Sequence, residues 1–479
     1  MNYRMIGQML GRVLCMEAVL MLVPLFIALG YHESVVPFLI SVVITGVVGF
    51  CLSRLQPKHS DFYAREGFVI VVMCWVVLSL LGTLPFVISG EIPRFIDALF
   101  ETVSGFSTCG ASILTDIEAL SYSCLFWRSF THWIGGMGVL VFIMAVMPMA
   151  GEYNMHIMRA EATGPVVGKL VPRVRKTAVI LYLMYVILTL IETILLVLGP
   201  MNWFDAVLHA FSTAGTGGFS TRAASVGAFG STYVDLVISI FMLLFGINFN
   251  LYFFLLIGKF KSFWKSEELR WYLGAIAFAT ITISLAIRTS YTIFGSALRD
   301  AFFQVLSIIS TTGFATADFN QWPQYARWLL VLLMFSGACA GSTGGGMKVS
   351  RILILAKAAK AELRRLLHPR SVNLVQMDHK RVDESTVRCT LVFLVLYMGI
   401  LLLGTLIVSL DGFDLETNFT AVLASLSSIG PGLSLVGATG NYAMFSWLSK
   451  LVLACCMLIG RLEIFPVMMF CAPRTWKRV

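Results

Sequence analysis

The chain has 479 residues, of which 58% are hydrophobic and only 13% are charged, and its mean hydropathy is +0.84. Soluble domains carry about a quarter charged residues, so this composition excludes a soluble globular protein and predicts an integral membrane protein. The formal net charge of +9 does not indicate a nucleic-acid partner, because the basic residues stand in short loops between apolar runs. The ten cysteines lack metal-ligand or redox spacing and are interpreted as small buried hydrophobes.

Ten apolar runs approach the roughly 20 residues that a membrane-spanning helix needs. In chain order they are predicted at Gln8–Leu29, Val35–Arg54, Gly67–Ile88, Leu125–Met149, Thr177–Leu198, Tyr233–Ile257, Trp271–Ile287, Tyr325–Ala340, Val387–Leu410 and Trp447–Cys471. The first run lacks a small-residue cleavage site and is followed at once by the second. It is therefore interpreted as a spanning helix and not as a signal peptide.

After the first two helices, a pattern of helix, short amphipathic segment and helix recurs four times. Each short segment has about 10–14 residues, too few to span a membrane, and predicts a re-entrant pore helix followed by an extended loop. We expect an all-α membrane protein in which four pseudo-symmetric repeats surround one pore, preceded by an extra helix pair. The predicted units are residues 1–60, the N-terminal two-helix unit, and the repeats 61–155, 170–262, 268–368 and 384–479.

The distribution of basic residues predicts the orientation. With a cytoplasmic N-terminus, 27 of the 35 Lys and Arg residues face the cytoplasm, seven face outside and one, Arg461, lies inside a helix. The opposite orientation would contradict the positive-inside rule. We therefore expect both termini in the cytoplasm and all four short loops open to the outside.

A glycine stands at one fixed offset in each of the four short segments. It follows the aligned positions Asp97, Asp205, Asp300 and Thr417 by thirteen residues, and a hydroxyl residue stands two positions before it. Successive glycines are 108, 95 and 117 residues apart. The four candidate loops read Thr108-Cys109-Gly110, Thr216-Gly217-Gly218, Thr311-Thr312-Gly313 and Ser428-Ile429-Gly430.

These loops have the chemistry of a filter for alkali cations. Glycine enters backbone conformations closed to other residues, which allows successive carbonyls to point at a common axis. The preceding hydroxyl can add an oxygen ligand, and a weakly hydrated monovalent cation needs no carboxylate ring. In any single loop the glycine could serve helix packing alone. Four loops in one register favour a ring.

This arrangement resembles the Trk/Ktr/HKT superfamily of potassium transporters over essentially the whole chain. The extra helix pair makes the chain more similar to the TrkH branch. Three further stretches support the resemblance: His132–Gly138, Gly341–Lys348 and Gly460–Pro466. The resemblance implies that potassium, the transported ion, binds at the twelve filter residues. The fourth loop departs from the pattern, with Ser428 in place of Thr and Pro431 after the glycine. We expect the fourth loop to differ from the other three in the ring. We also expect loose discrimination among alkali ions.

A glycine-rich stretch, Gly341-Ser342-Thr343-Gly344-Gly345-Gly346, interrupts a predicted helix of the third repeat. It is similar to a phosphate-binding loop, but Met347 occupies the lysine position, Lys348 comes one residue late, and no strand precedes it. A simple hinge is the alternative. The family resemblance implies an intramembrane gate at residues 341–348, directly beneath the filter.

Arg461 lies at membrane depth in the last predicted helix, where a charge normally faces a cavity or a partner. Snorkelling to the cytoplasmic interface is the alternative. We favour an arginine that projects toward the pore below the filter, where its charge opposes cation exit and helps hold the gate. Glu17, Glu192 and Asp235 are other acids in predicted intramembrane segments. Ion coupling is one interpretation, and paired structural groups or positions near the interfaces are favoured.

The remaining expectations concern function class and partners. No metal cluster, nucleophile elbow or intact phosphate loop is present in the sequence, so we expect a transporter without a cofactor and not an enzyme. An ion-coupled potassium symporter driven by protons or sodium is the alternative to a channel-like pore. The resemblance further implies a homodimer in the bacterial inner membrane. It also implies a cytosolic TrkA-like RCK subunit that binds nucleotide and docks on the basic stretch Arg351–Arg388.

Overall fold

The structure is a computed structural model that describes residues 2–55, 64–138, 174–369, 374–378 and 380–476. Within these ranges the regular secondary structure is helical apart from one two-stranded hairpin, β1 (Gln376–Met377) and β2 (Lys380–Arg381). The prediction of an all-helical membrane protein is confirmed. The hairpin was not predicted, and it lies in the basic segment after the third repeat.

The N-terminal unit and first repeat contain seven described helices. They are α1 (Tyr3–Leu20), α2 (Leu22–Gly30), α3 (Val36–Ser53), α4 (Ala64–Gly82), α5 (Leu84–Ser89), the short helix α6 (Phe95–Phe106) and α7 (Tyr122–Gly136). Helix α1 packs on α3, and both contact the first repeat through α4 and α5. A Cβ on Gly11 would lie 2.7 Å from the Gly49 carbonyl oxygen, so glycine permits this close crossing.

The second and third repeats follow the same plan. The second has α8 (Val174–Leu198), the short helix α9 (Trp203–Ala214), α10 (Thr232–Phe245) and α11 (Phe249–Leu256), with α12 (Phe260–Lys265) after it. The third has α13 (Glu267–Ile287), the short helix α14 (Phe294–Ile309), α15 (Gln324–Ser336) and α16 (Val349–Leu367).

The fourth repeat completes the set. It comprises α17 (Glu384–Val408), the short helix α18 (Leu415–Ser427), α19 (Trp447–Arg461), α20 (Phe465–Cys471) and α21 (Pro473–Trp476). The short helices α6, α9, α14 and α18 have 12, 12, 16 and 13 residues, which confirms four segments too short to span. We call them the pore helices.

The helix that follows each pore helix packs against the pore helix of the next repeat. Helix α7 contacts α9, α10 contacts α14, α15 contacts α18, and α19 returns to contact α6. The repeats are therefore arranged in cyclic sequence order, and the last one closes on the first.

Three of these junctions carry an ion pair at equivalent positions. The fourth residue of the second helix pairs with the start of the next pore helix: Asp235 with Arg299 at 3.6 Å, Arg327 with Glu416, and Lys450 with Asp97 at 2.6 Å. The first junction is aromatic instead. There, Tyr31 stacks on Tyr122 at 4.1 Å and Tyr122 meets Phe204 edge-on at 5.1 Å between ring centroids.

Three predicted spans need correction. The described residues contain six helices long and apolar enough to cross a membrane, and two bent pairs that pass together. The predicted helices Tyr233–Ile257 and Trp447–Cys471 are such pairs, bent by 91° at residues 246–248 and by 119° at 462–464. The predicted helix Tyr325–Ala340 ends at Ser336, because Gly337 adopts a positive φ of 66°. The end of the predicted span Leu125–Met149 lies outside the described residues.

Breaking the ion pair that closes the ring should destabilise the fold more than breaking an exposed pair. Asp97→Asn leaves Lys450, whose side chain is 5% exposed, without its carboxylate. We expect a loss of about 2–4 kcal/mol in the free energy of unfolding. The matched control is Glu118→Gln, because Glu118 is 52% exposed in its pair with Arg222 and should change stability by less than about 1 kcal/mol. Thermal unfolding in detergent compares the two, and equal shifts would contradict the proposed closure.

Candidate functional site: a ring of four loops

All four pore helices end in the same backbone motif. The residues Thr108, Thr216, Thr311 and Ser428 have positive φ angles of 55°, 52°, 62° and 55°. Positive φ costs about 1–2 kcal/mol for an L-residue, and for β-branched Thr it is a genuine outlier. Strain that recurs at four equivalent positions is the basis for a hypothesis of function at these loops.

Hydrogen bonds hold these four positions in a Schellman arrangement. The N–H of Cys109 donates to the Ser104 carbonyl at 2.9 Å, and the N–H of Thr108 donates to the Gly105 carbonyl at 3.1 Å. The same pair of bonds recurs at the ends of α9, α14 and α18, with lengths of 2.8–3.3 Å. The last helical carbonyls are therefore satisfied inside the protein, as backbone at membrane depth requires.

The glycines bring the four loops together in a ring. Gly110, Gly218, Gly313 and Gly430 have φ angles of 83°, 78°, 84° and 91°. A Cβ on Gly110 would collide with the carbonyl oxygen of Gly217, one on Gly218 with that of Thr312, and one on Gly313 with that of Ile429. A Cβ on Gly430 would lie 2.7 Å from the Cys109 carbonyl oxygen, which closes the circle. Each loop thus places its middle carbonyl beside the glycine of the preceding loop.

The fourth quarter of the ring differs from the other three. The contact from Gly430 to the first loop is the most open of the four. Its carbonyl accepts a hydrogen bond from the Tyr442 hydroxyl at 2.7 Å, and Pro431 Cδ lies against Gly313. The sequence departures at Ser428 and Pro431 thus coincide with a local difference in packing.

The four hydroxyl side chains have different surroundings. Thr216 donates to the Gly215 carbonyl at 2.7 Å, and Thr311 accepts the N–H of Gly345 at 2.7 Å. Thr108 Oγ1 and Ser428 Oγ are buried and have no hydrogen-bond partner among the described residues. A buried oxygen without a partner costs about 1–3 kcal/mol unless a ligand satisfies it. These atoms fit a site for a dehydrated cation.

In the first three repeats, the residue four positions after Asp97, Asp205 or Asp300 forms a hydrogen bond to the extended segment that follows the filter. In the first repeat Glu101 accepts from Arg128 at 2.6 Å and from the N–H of Ile113 at 3.0 Å. In the second, His209 bonds Ser220 Oγ at 2.9 Å, and in the third Gln304 donates to the Ala317 carbonyl at 3.4 Å. The buried pair of Glu101 and Arg128 therefore acts as a support behind the ring.

The fourth repeat has Ala421 at this position and uses a hydroxyl instead. Thr420 Oγ1 accepts the N–H of Leu433 at 2.9 Å. At the outer end of the same pore helix, the Thr417 hydroxyl donates to Asp414. This hydrogen bond lowers the pKa of the Asp414 carboxyl below its ordinary value. The carboxylate therefore remains a helix cap well into mildly acidic solution.

The glycine-rich stretch lies directly against two filter loops. The N–H of Gly345 donates to Thr311 Oγ1, and a Cβ on Gly345 would lie 2.8 Å from Ser428 Cβ. A Cβ on Gly344 would lie 2.8 Å from the Ser310 carbonyl oxygen. No side chain larger than hydrogen fits between this stretch and the third and fourth loops, which accounts for the glycines.

The rest of the stretch is held by hydrogen bonds within the segment, to the residues before it and to the second repeat. Ser342 donates to the Cys339 carbonyl at 2.6 Å, and Thr343 donates to the Phe245 carbonyl at 3.3 Å. Lys348 is buried, has a positive φ of 74°, and donates to the Gly344 carbonyl. Gly341 and Gly346 also have positive φ, at 71° and 74°. The segment is an ordered loop between α15 and α16.

Sequence reasoning missed the carboxylate that holds both ends of this loop. Glu268 Oε1 accepts the N–H of Ala340 at 2.7 Å and the N–H of Ser350 at 3.1 Å. Glu268 stands in the first turn of α13, about 70–80 positions earlier in the chain. An acidic residue at a helix N-terminus is too common a pattern to have revealed this contact.

Arg461 is the last residue of α19 and stands at the bend, not within an unbroken helix. Its guanidinium donates to the carbonyls of Thr343 at 2.8 Å, of Gly136 at 2.6 Å, and of Gly135. It therefore joins the glycine-rich loop to the end of α7. The side chain is 8% exposed and does not snorkel to the surface.

The neighbouring charges belong to the same region. Glu463 pairs with Arg351 on α16, and Arg351 also lies over the Phe393 ring at 4.1 Å. Within the described residues, no group of three or more His, Cys, Asp or Glu could hold a metal ion. The oxygen-rich feature is the ring of backbone carbonyls, a ligand type that suits an alkali cation.

Comparison with known proteins identifies the family. The model of the TrkH family, described as cation transport proteins, matches residues 37–478. The chain is 36% identical to the Trk system potassium uptake proteins TrkH of Salmonella typhimurium and of Escherichia coli, with all of each chain covered. It superposes on the crystal structure of the potassium transporter TrkH from Vibrio parahaemolyticus with a TM-score of 0.89 at 34% identity, again over both full chains.

These relatives confirm the predicted function class. A family of cation transport proteins bears out the expectation of a transporter and not an enzyme. With the apolar helices, it indicates a multi-pass protein of the bacterial inner membrane. The chain belongs to the TrkH family of cation transport proteins.

Proposed function

We propose that this chain is the pore-forming subunit of a potassium uptake system and that potassium crosses through the four-loop ring. The observation that carries the proposal is the cyclic contact of each filter glycine with the middle carbonyl of the next loop. Four backbone oxygens around one axis can replace the water of a weakly hydrated cation. The full-length relatives are named potassium uptake proteins.

The chemistry of the ring favours potassium with moderate selectivity. Each quarter contributes one short loop with two left-handed residues, so the ring is shallow, and its fourth quarter is packed less tightly than the others. Selectivity depends on the number and field strength of the coordinating oxygens. We therefore propose discrimination against sodium that is weaker than in a longer filter.

The direction of transport follows from the charge distribution. Five of the seven basic residues predicted to face outside make ion pairs: Arg128, Arg222, Arg299, Arg327 and Lys450. The outer mouth therefore presents little unpaired positive charge to an arriving cation. An inside-negative potential of 100 mV favours entry of each ion by about 2.3 kcal/mol. We propose cytoplasmic termini and inward flow through the ring.

Channel-like passage is favoured over ion-coupled symport. Four equivalent loops around one axis form a ring, whereas alternating access generally uses two repeats that move around one central site. Glu17 and Glu192 are buried acids, and the carboxylate of Glu17 has no hydrogen-bond partner among the described residues. Because of these two acids, symport coupled to protons or sodium is the second candidate mechanism.

The gate in this proposal is the loop 341–348 with Arg461. The loop lies against the third and fourth filter loops, and Arg461 holds it to the first repeat. Opening requires that these bonds break and that the loop moves aside. The fixed charge of Arg461 adds an electrostatic barrier below the ring, on the order of 3 kcal/mol for a cation at about 6 Å and an effective dielectric near 20.

Regulation and assembly complete the proposal. The basic stretch Arg351–Arg388 contains all but the first two residues of α16, a helix that begins directly after the gate loop. A cytosolic TrkA-like RCK ring docked there could pull on the gate when nucleotide binds. The family resemblance also supports a homodimer in which each protomer has its own pore.

The purified chain in planar bilayers should pass potassium without a coupled ion. A tenfold potassium gradient should set the reversal potential near about 60 mV, because a tenfold ratio equals about 1.4 kcal/mol and 100 mV equals about 2.3 kcal/mol. The value should not move when only the pH or only a small sodium gradient is changed. A reversal potential that follows the proton or sodium gradient would favour the symporter.

Serine at the filter glycines should reduce potassium preference in a graded way. We expect Gly110→Ser, Gly218→Ser and Gly313→Ser to lower the potassium-to-sodium permeability ratio by about tenfold, because their Cβ would displace a carbonyl oxygen. Gly430→Ser should have the smallest effect, since its Cβ would lie 2.7 Å from the Cys109 carbonyl oxygen, a milder clash than the 1.9–2.1 Å at the other three glycines. Gly399→Ser is the control, because nothing lies within 4 Å of its Cβ. Unchanged ratios in all four filter variants would refute the ring.

Neutralising Arg461 should increase flux through the folded protomer. Arg461→Ala removes the charge and the bonds to Thr343 and Gly136, so flux should rise by up to about 100-fold. Arg461→Lys keeps the charge and should preserve most of the barrier. Potassium flux normalised to folded protein compares the two variants. An Ala variant that folds but conducts no faster would end the barrier hypothesis.

A further inference from the structure

The end of α7 lies against the first two filter loops. A Cβ on Gly135 would lie 1.9 Å from the Phe106 carbonyl oxygen, at the end of the first pore helix. A Cβ on Gly136 would lie 2.6 Å from Gly215 Cα, at the end of the second. The stretch His132–Gly138 therefore contacts the ring directly, and its glycines permit the close approach.

The imidazole of His132 occupies the space behind the second filter loop. A Cβ on Gly217 would lie 2.3–2.5 Å from three atoms of this ring, Nδ1, Cγ and Cε1. Gly217 is not among the glycines with a positive φ, so its backbone conformation does not itself demand glycine. The neighbouring imidazole, and not the backbone, excludes a side chain at this position.

The other three loops carry a side chain of their own at the equivalent position. Their middle residues are Cys109, Thr312 and Ile429, and all three are fully buried. Cys109 Sγ lies 3.7 Å from the Ala424 carbonyl oxygen, and Thr312 Oγ1 lies 2.7 Å from a second hydroxyl of its own loop. The second loop has only a hydrogen atom there, and the first repeat supplies the imidazole.

The ring of His132 is itself held by the second repeat. It stacks on Phe219, the residue after the filter glycine Gly218, with centroids 4.0 Å apart and planes 17° from parallel. One turn earlier on α7, the Arg128 guanidinium lies 3.6 Å from the centre of the same Phe219 ring and donates to the Ser220 carbonyl at 2.9 Å. His132 therefore contacts the second loop on both sides of Gly218.

The placement of one filter carbonyl depends on this contact. The Gly217 carbonyl oxygen lies against Gly110 of the first loop, where a Cβ would be only 1.9 Å away. Glycine has more backbone freedom than any other residue. Without the imidazole a void would lie behind Gly217, and its peptide would be free to turn.

We propose that His132 is a positioning residue of the potassium filter, whose imidazole takes the place of the missing side chain of the second loop and fixes the direction of the Gly217 carbonyl. The inference rests on the proposed function, in which potassium passes through this ring. Selectivity depends on the coordinating oxygens. His132 thus affects the potassium-to-sodium permeability ratio from behind the loop. A histidine that only fills space would affect stability alone.

An exchange of side chains across the contact tests this role. Gly217→Thr drives a side chain into the imidazole, and His132→Ala leaves a void. Each single variant should lower the permeability ratio by about tenfold. His132→Ala/Gly217→Thr gives the second loop its own side chain, as Thr312 does in the third, and should restore the ratio to within about threefold of the natural chain. Reversal potentials of the purified chain in planar bilayers with mixed potassium and sodium give the ratios.

Ile134→Ala is the matched control. It removes another buried side chain of α7, whereas the three atoms nearest to a Cβ on Gly217 all belong to His132. This variant should lower the unfolding temperature and leave the ratio within about threefold of the natural chain. Combined with Gly217→Thr, it should give no rescue.

Thermal unfolding of the same variants separates positioning from packing. A double variant that regains stability but not the ratio would leave His132 a packing role only and overturn the proposal. A folded His132→Ala variant with the natural ratio, or a double variant that does not fold, would overturn it as well. If the natural chain has no potassium preference, the proposed pore fails and this inference fails with it. A selective natural chain without rescue in the double variant refutes the inference alone.

Discussion

The structure depends on four strained chain reversals buried at membrane depth. Irregular backbone without water must find every hydrogen bond within the protein. Here each reversal ends a pore helix in the same bonded motif, and its glycine lies against the middle carbonyl of the next loop. The loops therefore stabilise one another in a closed circle. A side chain at any one glycine disturbs the neighbouring quarter as well as its own.

The elements around the ring hold this circle closed. Buried side chains behind the loops, above all Glu101 with Arg128, connect each pore helix to the segment after its filter. Farther out, ion pairs join the second, third and fourth repeats to their successors, and Lys450 with Asp97 ties the last to the first. The pair of Lys450 and Asp97 is the most enclosed of the three, with side chains 5% and 18% exposed, and such a pair is costly to break. These contacts brace the ring from its outer side, and the gate that we propose is a separate element, the loop 341–348.

The proposed gate lies where the helices next to the ring are interrupted. Three of the second helices break at this level, at residues 246–248, 337–348 and 462–464. The longest break lies between the filter and α16, and side chains from three other elements are among the groups that hold it: Thr311, Arg461 and Glu268. Arg461 and Glu268 are charged, and hydrogen bonds to charged groups are worth about 1.5–3 kcal/mol each, against about 1 kcal/mol for the neutral bond of Thr311. In the proposed mechanism, a partner bound to α16 must favour the open state by more than these bonds contribute.

The sequence alone determined the membrane class, the four short segments, the filter glycines and the interruption at Gly341–Gly346. Each of these follows from local information: an apolar run of a given length, a glycine at a fixed offset, a charge that must avoid lipid. Only the tertiary structure revealed that the helix ends at Ser336, that Arg461 stands at a 119° bend, and that Glu268 reaches residues 340 and 350. These features come from contacts between residues about 70 to 330 positions apart. Hydropathy and periodicity carry no information about such contacts, because they describe only neighbours along the chain.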